Sequence, residues 1–289
     1  MHIAVFANSG SWYASDLKRA AVGRGHRFSR IDFHQITGQT DAERPLLTAG
    51  DVALDQVDAV IVRTMPPGSL EQVVFRMDAL ARLEAADVPV VNPPKAIECA
   101  VDKYLTTARL SAAGLPVPLT AVCENAELAL QEFERLGGDV VVKPIFGSEG
   151  RGIVRVSDPD LALRTFRTLE RIQAVLYLQT FVEHEGADIR VLVLDGRVVG
   201  AMRRRSADDF RTNVSRNGHA EAYQQTPSEE QLALRAADVV GTRIAGVDLL
   251  YGRDGSCYVL EVNAVPGWQA FAAVTGIDVA DLLIESLEA

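Results

Sequence analysis

The amino-acid sequence predicts an α/β fold whose C-terminal half changes to an α+β arrangement. Over residues 1–95, apolar β-runs alternate with amphipathic helical stretches, a pattern typical of a parallel sheet. From Asp188 onward the β-runs are joined by short turns instead, and Asp195-Gly196 is a strong type I′ turn signal. A length of 289 residues is enough for two or three subdomains around a sizeable core.

Composition narrows the class of protein further. Hydrophobic residues make up 48% of the chain, which favours a globular protein, and no apolar run reaches the length of a membrane span. Residues 1–6 indicate a strand and not a signal peptide, because a charged region and a cleavage site are both missing. Three scattered cysteines predict neither a disulfide framework nor a zinc site, so we expect a cytoplasmic protein. The net charge of −10 argues against nucleic acid or an anionic membrane as a partner.

A first domain is predicted over residues 1–94. Its strands are expected at residues 2–7, 27–33, 59–63 and 89–91, and its helices at 15–23 and 70–86. The turn that begins at Asn8 is not a Gly-x-Gly-x-x-Gly fingerprint, so no dinucleotide site is predicted. The stiff segment Asn92-Pro-Pro94 marks the domain boundary.

A second domain is predicted over residues 95–182, with a linker helix and a central subdomain. The linker helix is expected at residues 94–113. Strands follow at 117–122, 139–144, 153–156 and 175–182, with a helix at 126–136 and another that Asp158 caps and that runs to residue 172. A loop with three glycines separates the strands at 139–144 and 153–156.

The third predicted domain spans residues 183–289. Strands at 188–194 and 197–204 flank the type I′ turn, and a polar stretch over residues 206–225 follows them. An amphipathic helix at 228–241 precedes a hairpin formed by runs at 246–250 and 258–263.

The glycine loop is a candidate phosphate site. Lys143 ends a very apolar strand, and Gly147, Gly150 and Gly152 follow it. Glycine lets backbone N–H groups approach phosphate oxygens closely, and the lysine adds a point charge. The lysine precedes the glycines, so this is not a Walker A motif. The alternative is an ordinary solvent-exposed β-hairpin loop, for which glycines are also natural.

The last hairpin is a candidate magnesium site. Glu261 and Asn263 point to one face of their strand, because they lie two residues apart. If the loop has four residues, Tyr251 opposes Ser256 and Asp248 joins the same face. Three oxygen ligands on one sheet face suit magnesium. A loop with one residue more or fewer turns Asp248 away unless a bulge restores it, and the alternative reading is polar residues that cap strand ends.

The preceding hairpin brings several arginines together. Counting back from a two-residue turn, Asp188 opposes Arg203 and Arg190 opposes Ala201. Asp188, Arg190, Arg203 and Arg205 then share one face. Converging arginines bind a carboxylate or an acyl phosphate bidentately, whereas the alternative is a solvated face with a surface ion pair.

Together these residues resemble those of the ATP-grasp ligases, and within them the RimK-type α-L-glutamate ligases. The resemblance covers nearly the whole chain. It rests on motifs in the ATP-grasp order, namely Asp102-Lys103, residues 142–152, Leu178-Gln-Thr-Phe-Val182, Asp188-Ile-Arg190, Phe210-Arg-Thr-Asn213, Gly246-Val-Asp248 and residues 261–267. The segments 261–268 and 67–77 are most similar to the branch linked to tetrahydromethanopterin biosynthesis.

The resemblance implies an ATP-grasp fold with an N-terminal parallel α/β pre-ATP-grasp domain, in which two antiparallel sheets clamp ATP. It implies ATP binding by Lys103, Lys143, the lid-loop residues Gly147, Ser148, Gly150 and Gly152, the strand Gln179, Thr180, Phe181 and Val182, and by Asp188, Arg211 and Asn213. It implies that Asp248, Glu261 and Asn263 hold magnesium, with two ions expected and manganese as an alternative. The family often has glutamate where this chain has Thr180, which leaves any side-chain contact with adenine at this position in doubt.

The implied reaction joins an amino acid, with glutamate expected, to a carboxylate acceptor through an acyl phosphate. Arg190, Arg203 and Arg211 are the implied catalytic residues. A pterin cofactor such as tetrahydromethanopterin and a protein or peptide tail are both open as acceptors. Two alternatives remain, a catalytically silent ATP-binding regulatory protein and an ATP-grasp ligase that makes dipeptides or a thiol peptide. A homo-oligomer is also an open expectation from the family.

Overall fold

The computed structural model describes residues 1–40, 47–147, 150–206 and 219–288. Within these ranges, none of the helices combines the length and the apolar character needed to cross a membrane.

The N-terminal region is built on a parallel sheet with the strand order β2-β1-β6-β7. Its main strands and both helices match the predicted elements to within a few residues. A small antiparallel meander, β3-β4-β5, was not predicted. The elements are β1 (His2–Phe6), α1 (Trp12–Gly23), β2 (Arg27–Ile31), β3 (Ile36–Gly38), β4 (Leu47–Ala49), β5 (Val52–Ala53), β6 (Ala59–Val62), α2 (Leu70–Ala85) and β7 (Val90–Val91).

The two helices cover opposite faces of this sheet. Leu17 and Ala20 of α1 pack with Ile3 and Val5, whereas Leu80 of α2 packs in the cluster that contains the alternate β1 residues, Ala4 and Phe6. Since alternate side chains of a strand point to opposite faces, α1 and α2 lie on different sides.

The predicted linker helix at residues 94–113 is wrong as a single element. The structure has two helices, α3 (Pro94–Val101) and α4 (Lys103–Ala112), with Asp102 between them in an extended conformation. The Asp102 carboxylate accepts the backbone N–H of Leu105 at 2.9 Å and so caps α4. The break places Lys103 at the first residue of a helix, directly after the cap.

The central subdomain is an antiparallel sheet in the order β10-β9-β11-β8, with two helices packed against it. Phe133 and Phe166, one from each helix, are fully buried there. The elements are β8 (Thr120–Cys123), α5 (Ala126–Arg135), β9 (Val140–Lys143), β10 (Val154–Val156), α6 (Pro159–Arg171) and β11 (Leu176–Thr180).

The C-terminal sheet is antiparallel and has the order β14-β13-β12-β15-β16. Asn92, just after β7, bonds the start of β15: its amide nitrogen donates to the Ile244 carbonyl at 2.7 Å and its oxygen accepts the Ile244 N–H at 2.9 Å. The elements are β12 (Ala187–Leu194), β13 (Arg197–Arg205), β14 (His219–Tyr223), α7 (Pro227–Val240), β15 (Ile244–Tyr251), β16 (Cys257–Asn263), α8 (Gln269–Thr275) and α9 (Val279–Glu285).

The β12–β13 hairpin has the predicted turn but not the predicted register. Leu194 opposes Arg197 as expected, and the turn residue Asp195 has a positive φ of 45°. A bulge next to Val193 then shifts the pairing, so Asp188 opposes Arg204 and not Arg203. The predicted shared face of Asp188 and Arg190 with Arg203 and Arg205 is therefore wrong, because one extra residue turns β13 over.

In the β15–β16 hairpin, the predicted residues share a face although the strand pairing differs from the prediction. Tyr251 opposes Cys257 and not Ser256, so the loop has one residue more than predicted. A bulge between Asp248 and Leu249 compensates and sets Asp248 opposite Glu261. The expectation that Asp248, Glu261 and Asn263 share one face is confirmed, although the loop length behind it was wrong.

Candidate functional site

A cleft opens between the central and C-terminal sheets. Most of the residues predicted to bind the nucleotide or metal line it, with contributions from α4, the glycine loop, β9, β11 and the last hairpin. Those that do so are Lys103, Lys143, Gly147, Gly150, Gln179, Thr180, Phe181, Val182, Asp188, Asp248 and Glu261. Ser148, Arg211 and Asn213 lie outside the described residues.

Lys143 lies at the end of β9, with its ammonium group turned toward the cleft. Its Nζ donates to the side-chain oxygen of Gln179 at 2.6 Å. Burial lowers the pKa of Lys143 to about 8, against the opposing effect of the nearby Glu261 carboxylate. Gln179 is a neutral acceptor, so this hydrogen bond positions the lysine without neutralising its charge.

Lys103 approaches the same space from the start of α4. Its Nζ donates to the carbonyl oxygen of Gly147 at 2.8 Å, which ties α4 to the glycine loop. Burial also lowers the pKa of Lys103, while Glu261 opposes this shift. The two lysines therefore converge from separate elements toward Glu261, whose carboxylate acts on both.

The glycine loop joins two antiparallel strands, β9 and β10, so the hairpin-loop alternative is correct as a description of its geometry. The same loop lines the cleft through Gly147 and Gly150. Gly152 has a φ of 73°, and a Cβ there would lie 2.9 Å from Cγ of Pro144. Glycine is required at that position because an L side chain meets both a strained backbone and a clash.

A buried hydrogen-bond network stands behind Lys143. The Gln179 amide nitrogen donates to the Tyr177 hydroxyl at 3.1 Å and to Thr120 Oγ1 at 3.0 Å. The Tyr177 hydroxyl shares a further hydrogen bond of 2.9 Å with Thr107. Sequence reasoning gave Gln179 only a backbone role along the strand. The signal it missed is a polar side chain two residues from a tyrosine inside a buried strand.

The end of β11 lines the cleft through Thr180, Phe181 and Val182. The backbone N–H of Phe181 donates to the Asp139 carbonyl at 3.0 Å, and Arg155 stacks 3.5 Å over the Phe181 ring centroid. The Thr180 hydroxyl is buried and has no hydrogen-bond partner among the described residues. A buried polar group of this kind is available to a ligand that enters the cleft.

On the C-terminal sheet, two arginines from β12 and β13 hold Asp248 of β15. Arg190 contacts it bidentately, with Nε and Nη2 each 2.7 Å from a carboxylate oxygen, and Arg204 Nη2 lies 2.8 Å away. Burial alone would raise the pKa of Asp248, but Arg190 and Arg204 hold it at about 2. Pairing with the two arginines therefore favours the ionised form of this carboxylate.

Arg204 also pairs with Asp188 and so bridges two acids. Its Nε donates to Asp188 Oδ1 at 2.7 Å, and the carboxylates together raise the pKa of its guanidinium above the ordinary value. Arg203 points to the other face, where it stacks 4.3 Å over the Tyr223 ring. Arg204, and not Arg203, therefore lies beside Asp188 and Asp248. The sequence did not predict this, because the bulge that shifts the register leaves no signal in the residue spacing.

Glu261 and Asn263 lie beside Asp248 on the same sheet face. The Asn263 amide nitrogen donates to Glu261 Oε1 at 3.0 Å, and its oxygen accepts from Arg190 Nη2 at 3.2 Å. Burial and the nearby Asp248 carboxylate raise the pKa of Glu261. A cation bound beside Glu261 would favour its ionised form.

Magnesium is bound by oxygen atoms, and the side chains of Asp248, Glu261 and Asn263 each carry at least one. Across the described part of the chain, no group of three or more His, Cys, Asp and Glu side chains could hold a metal by itself. A magnesium ion here would therefore depend on the Asn263 amide and on oxygens supplied by a phosphate.

Comparison with known proteins places this geometry in context. Residues 100–287 match the model of a RimK-like ATP-grasp domain, and residues 1–97 match that of a RimK PreATP-grasp domain. A tetrahydromethanopterin:α-L-glutamate ligase of Methanosarcina acetivorans is 33% identical over 96% of this chain and 95% of its own. A second protein of that name, from Methanocaldococcus jannaschii, is 36% identical over 81% of this chain and 80% of its own.

A solved structure confirms the fold. The ATP-grasp ligase PsnB, complexed with a minimal precursor, Mg and ADP, superposes with a TM-score of 0.78. It is 23% identical in sequence, and the match covers 99% of this chain and 96% of that one. The ATP-grasp fold with an N-terminal pre-ATP-grasp region, expected from the sequence, is thus correct.

Proposed function

The chain belongs to the RimK-like ATP-grasp family, and we propose that it is an ATP-dependent ligase that joins L-glutamate to an acceptor carboxylate. Two relatives that align along most of the chain are α-L-glutamate ligases. The observation that carries the proposal is the convergence of Lys103 and Lys143 with Glu261 across one cleft. A carboxylate of a pterin-type cofactor is the first acceptor to assay, and a peptide carboxylate is the second.

The lysines would bind the phosphates of ATP, which enters as a substrate. Both donate their hydrogen bonds to neutral oxygens, on Gln179 and Gly147, so both keep a full charge for the polyphosphate. The loop residues Ser148, Gly150 and Gly152 would cover the phosphates, and residues 179–182 would line the base. Asp188, Arg211 and Asn213 keep their implied roles in nucleotide and substrate binding as part of this proposal.

Glu261 and Asn263 would hold magnesium together with Asp248, with two ions and a manganese alternative as the finer proposal. When bound, magnesium would neutralise charge on the transferring phosphoryl group. Asp248 must then loosen at least one contact with Arg190 or Arg204. The released guanidinium becomes available to an anionic substrate.

The proposed chemistry has two steps. An acceptor carboxylate oxygen bonds to the γ-phosphorus as the bond to the bridging oxygen breaks, which yields an acyl phosphate and ADP. The glutamate amine then bonds to the acyl carbon, loses a proton, and inorganic phosphate leaves. Arg190 and Arg204, which both pair with Asp248, would hold the carboxylate and then the charged tetrahedral oxygen. A closed glycine loop would keep water from the acyl phosphate.

A product screen tests this function. The protein is incubated with ATP, Mg²⁺, labelled L-glutamate and each acceptor, and we expect a mass gain of one glutamyl residue together with ADP. Glu261→Ala should abolish product, whereas Lys95→Ala, which removes an exposed lysine paired with Glu98, should not. Product with other amino acids but not glutamate would favour a dipeptide or thiol-peptide ligase. ATP binding without product from any pair would favour the regulatory alternative.

Free cysteines support a reducing, cytoplasmic site of action as a further part of the proposal. Cys99, Cys123 and Cys257 are all unpaired.

A further inference from the structure

Arg63 is a buried cation that the ligase chemistry above does not use. It follows β6 directly, and its side chain is only 6% exposed. Among the described residues no carboxylate forms an ion pair with it. Its Nη2 donates to the Pro266 carbonyl at 2.7 Å, while its Nε is buried without a partner in the described part of the chain. Burial lowers the pKa of Arg63 to about 10, which shows how poorly its charge is compensated.

Two aromatic rings frame this guanidinium. Its Cζ lies 4.2 Å from the Trp268 ring centroid and 4.8 Å from that of Tyr13. Trp268 is itself fixed by a hydrogen bond of 2.9 Å from its indole nitrogen to Asp16. Rings stabilise the cation through its faces but leave the N–H groups in the guanidinium plane unsatisfied. A carboxylate accepts two parallel hydrogen bonds from in-plane N–H groups of this kind.

The position of Arg63 in the sheet is also typical of a ligand site. The chain leaves β1 toward β2 on one side and reaches β6 on the other, with α1 and α2 on opposite faces. The gap between the carboxyl ends of β1 and β6 is therefore a topological switch point. In open parallel sheets, ligands bind just outside this point.

Packing connects Arg63 to the arginines of the C-terminal sheet. Pro266, which accepts its hydrogen bond, follows Asn263 by three residues. A Cβ on Gly246 would lie 3.1 Å from Pro266 and 3.5 Å from the Arg190 side chain. Arg63 and Arg190 are thus linked through Pro266 and Gly246.

We propose that Arg63 is a binding residue for a substrate carboxylate other than the one that is phosphorylated. The proposal rests on the proposed ligase function, in which glutamate brings two carboxylates that are not phosphorylated and the acceptor can carry others. The carboxylate belongs either to the incoming amino acid or to the acceptor. In both cases it completes the in-plane hydrogen bonding of the guanidinium and neutralises its buried charge.

The test measures whether Arg63 and a carboxylate recognise each other. Binding of L-glutamate, L-glutamine and glutamate α-amide to the Mg·AMPPNP-loaded protein is followed by calorimetry. The acceptor arm compares N-acetyl-Glu-Glu with its monoamides. We expect the wild-type protein to prefer one acid over its amide by ~10- to 100-fold, Arg63→Met to lose this preference, and Arg63→Lys to keep part of it.

Arg76→Met is the matched control. Arg76 is as buried as Arg63, donates to the Pro66 carbonyl at 2.6 Å and lies 5.9 Å from the Phe33 ring, so its removal has a similar structural cost. It should retain the wild-type preference. The proposal is overturned if Arg63→Met, folded by circular dichroism, discriminates each acid from its amide as the wild type does. Failure of the proposed function would appear differently, as a wild-type protein that forms no product.

Discussion

The two sides of the cleft handle buried charge in opposite ways. On the lysine side, formed by Lys103 and Lys143, each ammonium donates to a neutral oxygen, and burial lowers both pKa values. On the arginine side, formed by Arg190 and Arg204 with their acids Asp188 and Asp248, pairing raises the pKa of Arg204 and lowers that of Asp248. The lysine side is prepared for an incoming anion, whereas the arginine side must exchange a partner to bind one.

The largest effect should come from breaking the arginine side. Asp248→Asn leaves Arg190 without its charge partner and removes one from Arg204, so we expect a loss of about 3–5 kcal/mol in the free energy of unfolding. Urea denaturation measures it. Asp195→Asn is the control: Asp195 holds Arg243 in the same bidentate geometry, at 2.7 and 2.8 Å, but nearer to solvent. Its loss should stay below about 1 kcal/mol, and equal losses would contradict the contrast between buried and exposed pairs.

The next test makes the lysine side resemble the arginine side. Gln179→Glu gives Lys143 a carboxylate partner and puts a negative charge beside the phosphates, so we expect ATP affinity to fall by ~10-fold or more. Calorimetric titration with ATP measures the change. Gln269→Glu adds the same charge at an exposed helix start and should leave affinity unchanged. Wild-type affinity in Gln179→Glu would mean that Lys143 does not contact the phosphates.

The pH dependence of ATP affinity and of folding stability tests the same role of Lys143. Lys143 has a pKa of about 8 in the folded protein, and a bound phosphate favours its protonated form. ATP affinity should therefore fall as the pH rises through 8. Folding stability without ATP should show the reverse trend, because the unfolded lysine, with a pKa near 10.5, binds more protons between pH 8 and 10.5. Both trends should disappear in Lys143→Met, and their persistence there would assign them to another group.

The smallest effect separates the two neighbouring arginines. Arg203 stacks on Tyr223 and approaches Glu221 at 3.8 Å, so Arg203→Met should cost about 0.5–1 kcal/mol in stability and leave turnover within ~2-fold of wild type. Arg204→Met should abolish turnover. Steady-state kinetics on both variants decides whether the bulged register is correct.

Sequence reasoning located the elements well and the side-chain faces less well. The two-residue period of a strand was enough to predict that Glu261 and Asn263 share a face. The apolar run before Lys143 was enough to predict that this lysine ends a strand. The bulge in β13 depends on tertiary packing: a Cβ at Gly200 would lie 3.0 Å from Ile277 and 3.2 Å from Phe271. Contacts with a distant helix are not encoded in local spacing, so Arg203 was chosen where Arg204 belongs.

Arg63 illustrates the same limit. In the sequence it is one arginine after an apolar run, and nothing nearby distinguishes it from a solvated strand end. Its frame comes from Tyr13 and Trp268, which are far away along the chain and meet only in the folded protein. Burial without a charge partner is a property of the fold and not of the residue pattern.

The proposed function has this cleft activate a carboxylate by phosphoryl transfer from ATP. Labelling the acceptor carboxylate with a heavy oxygen isotope and analysing the released phosphate tests this step. The proposed mechanism predicts one labelled oxygen in each phosphate formed with the glutamyl product, and no product in Lys143→Met. Unlabelled phosphate alongside glutamyl product would contradict it.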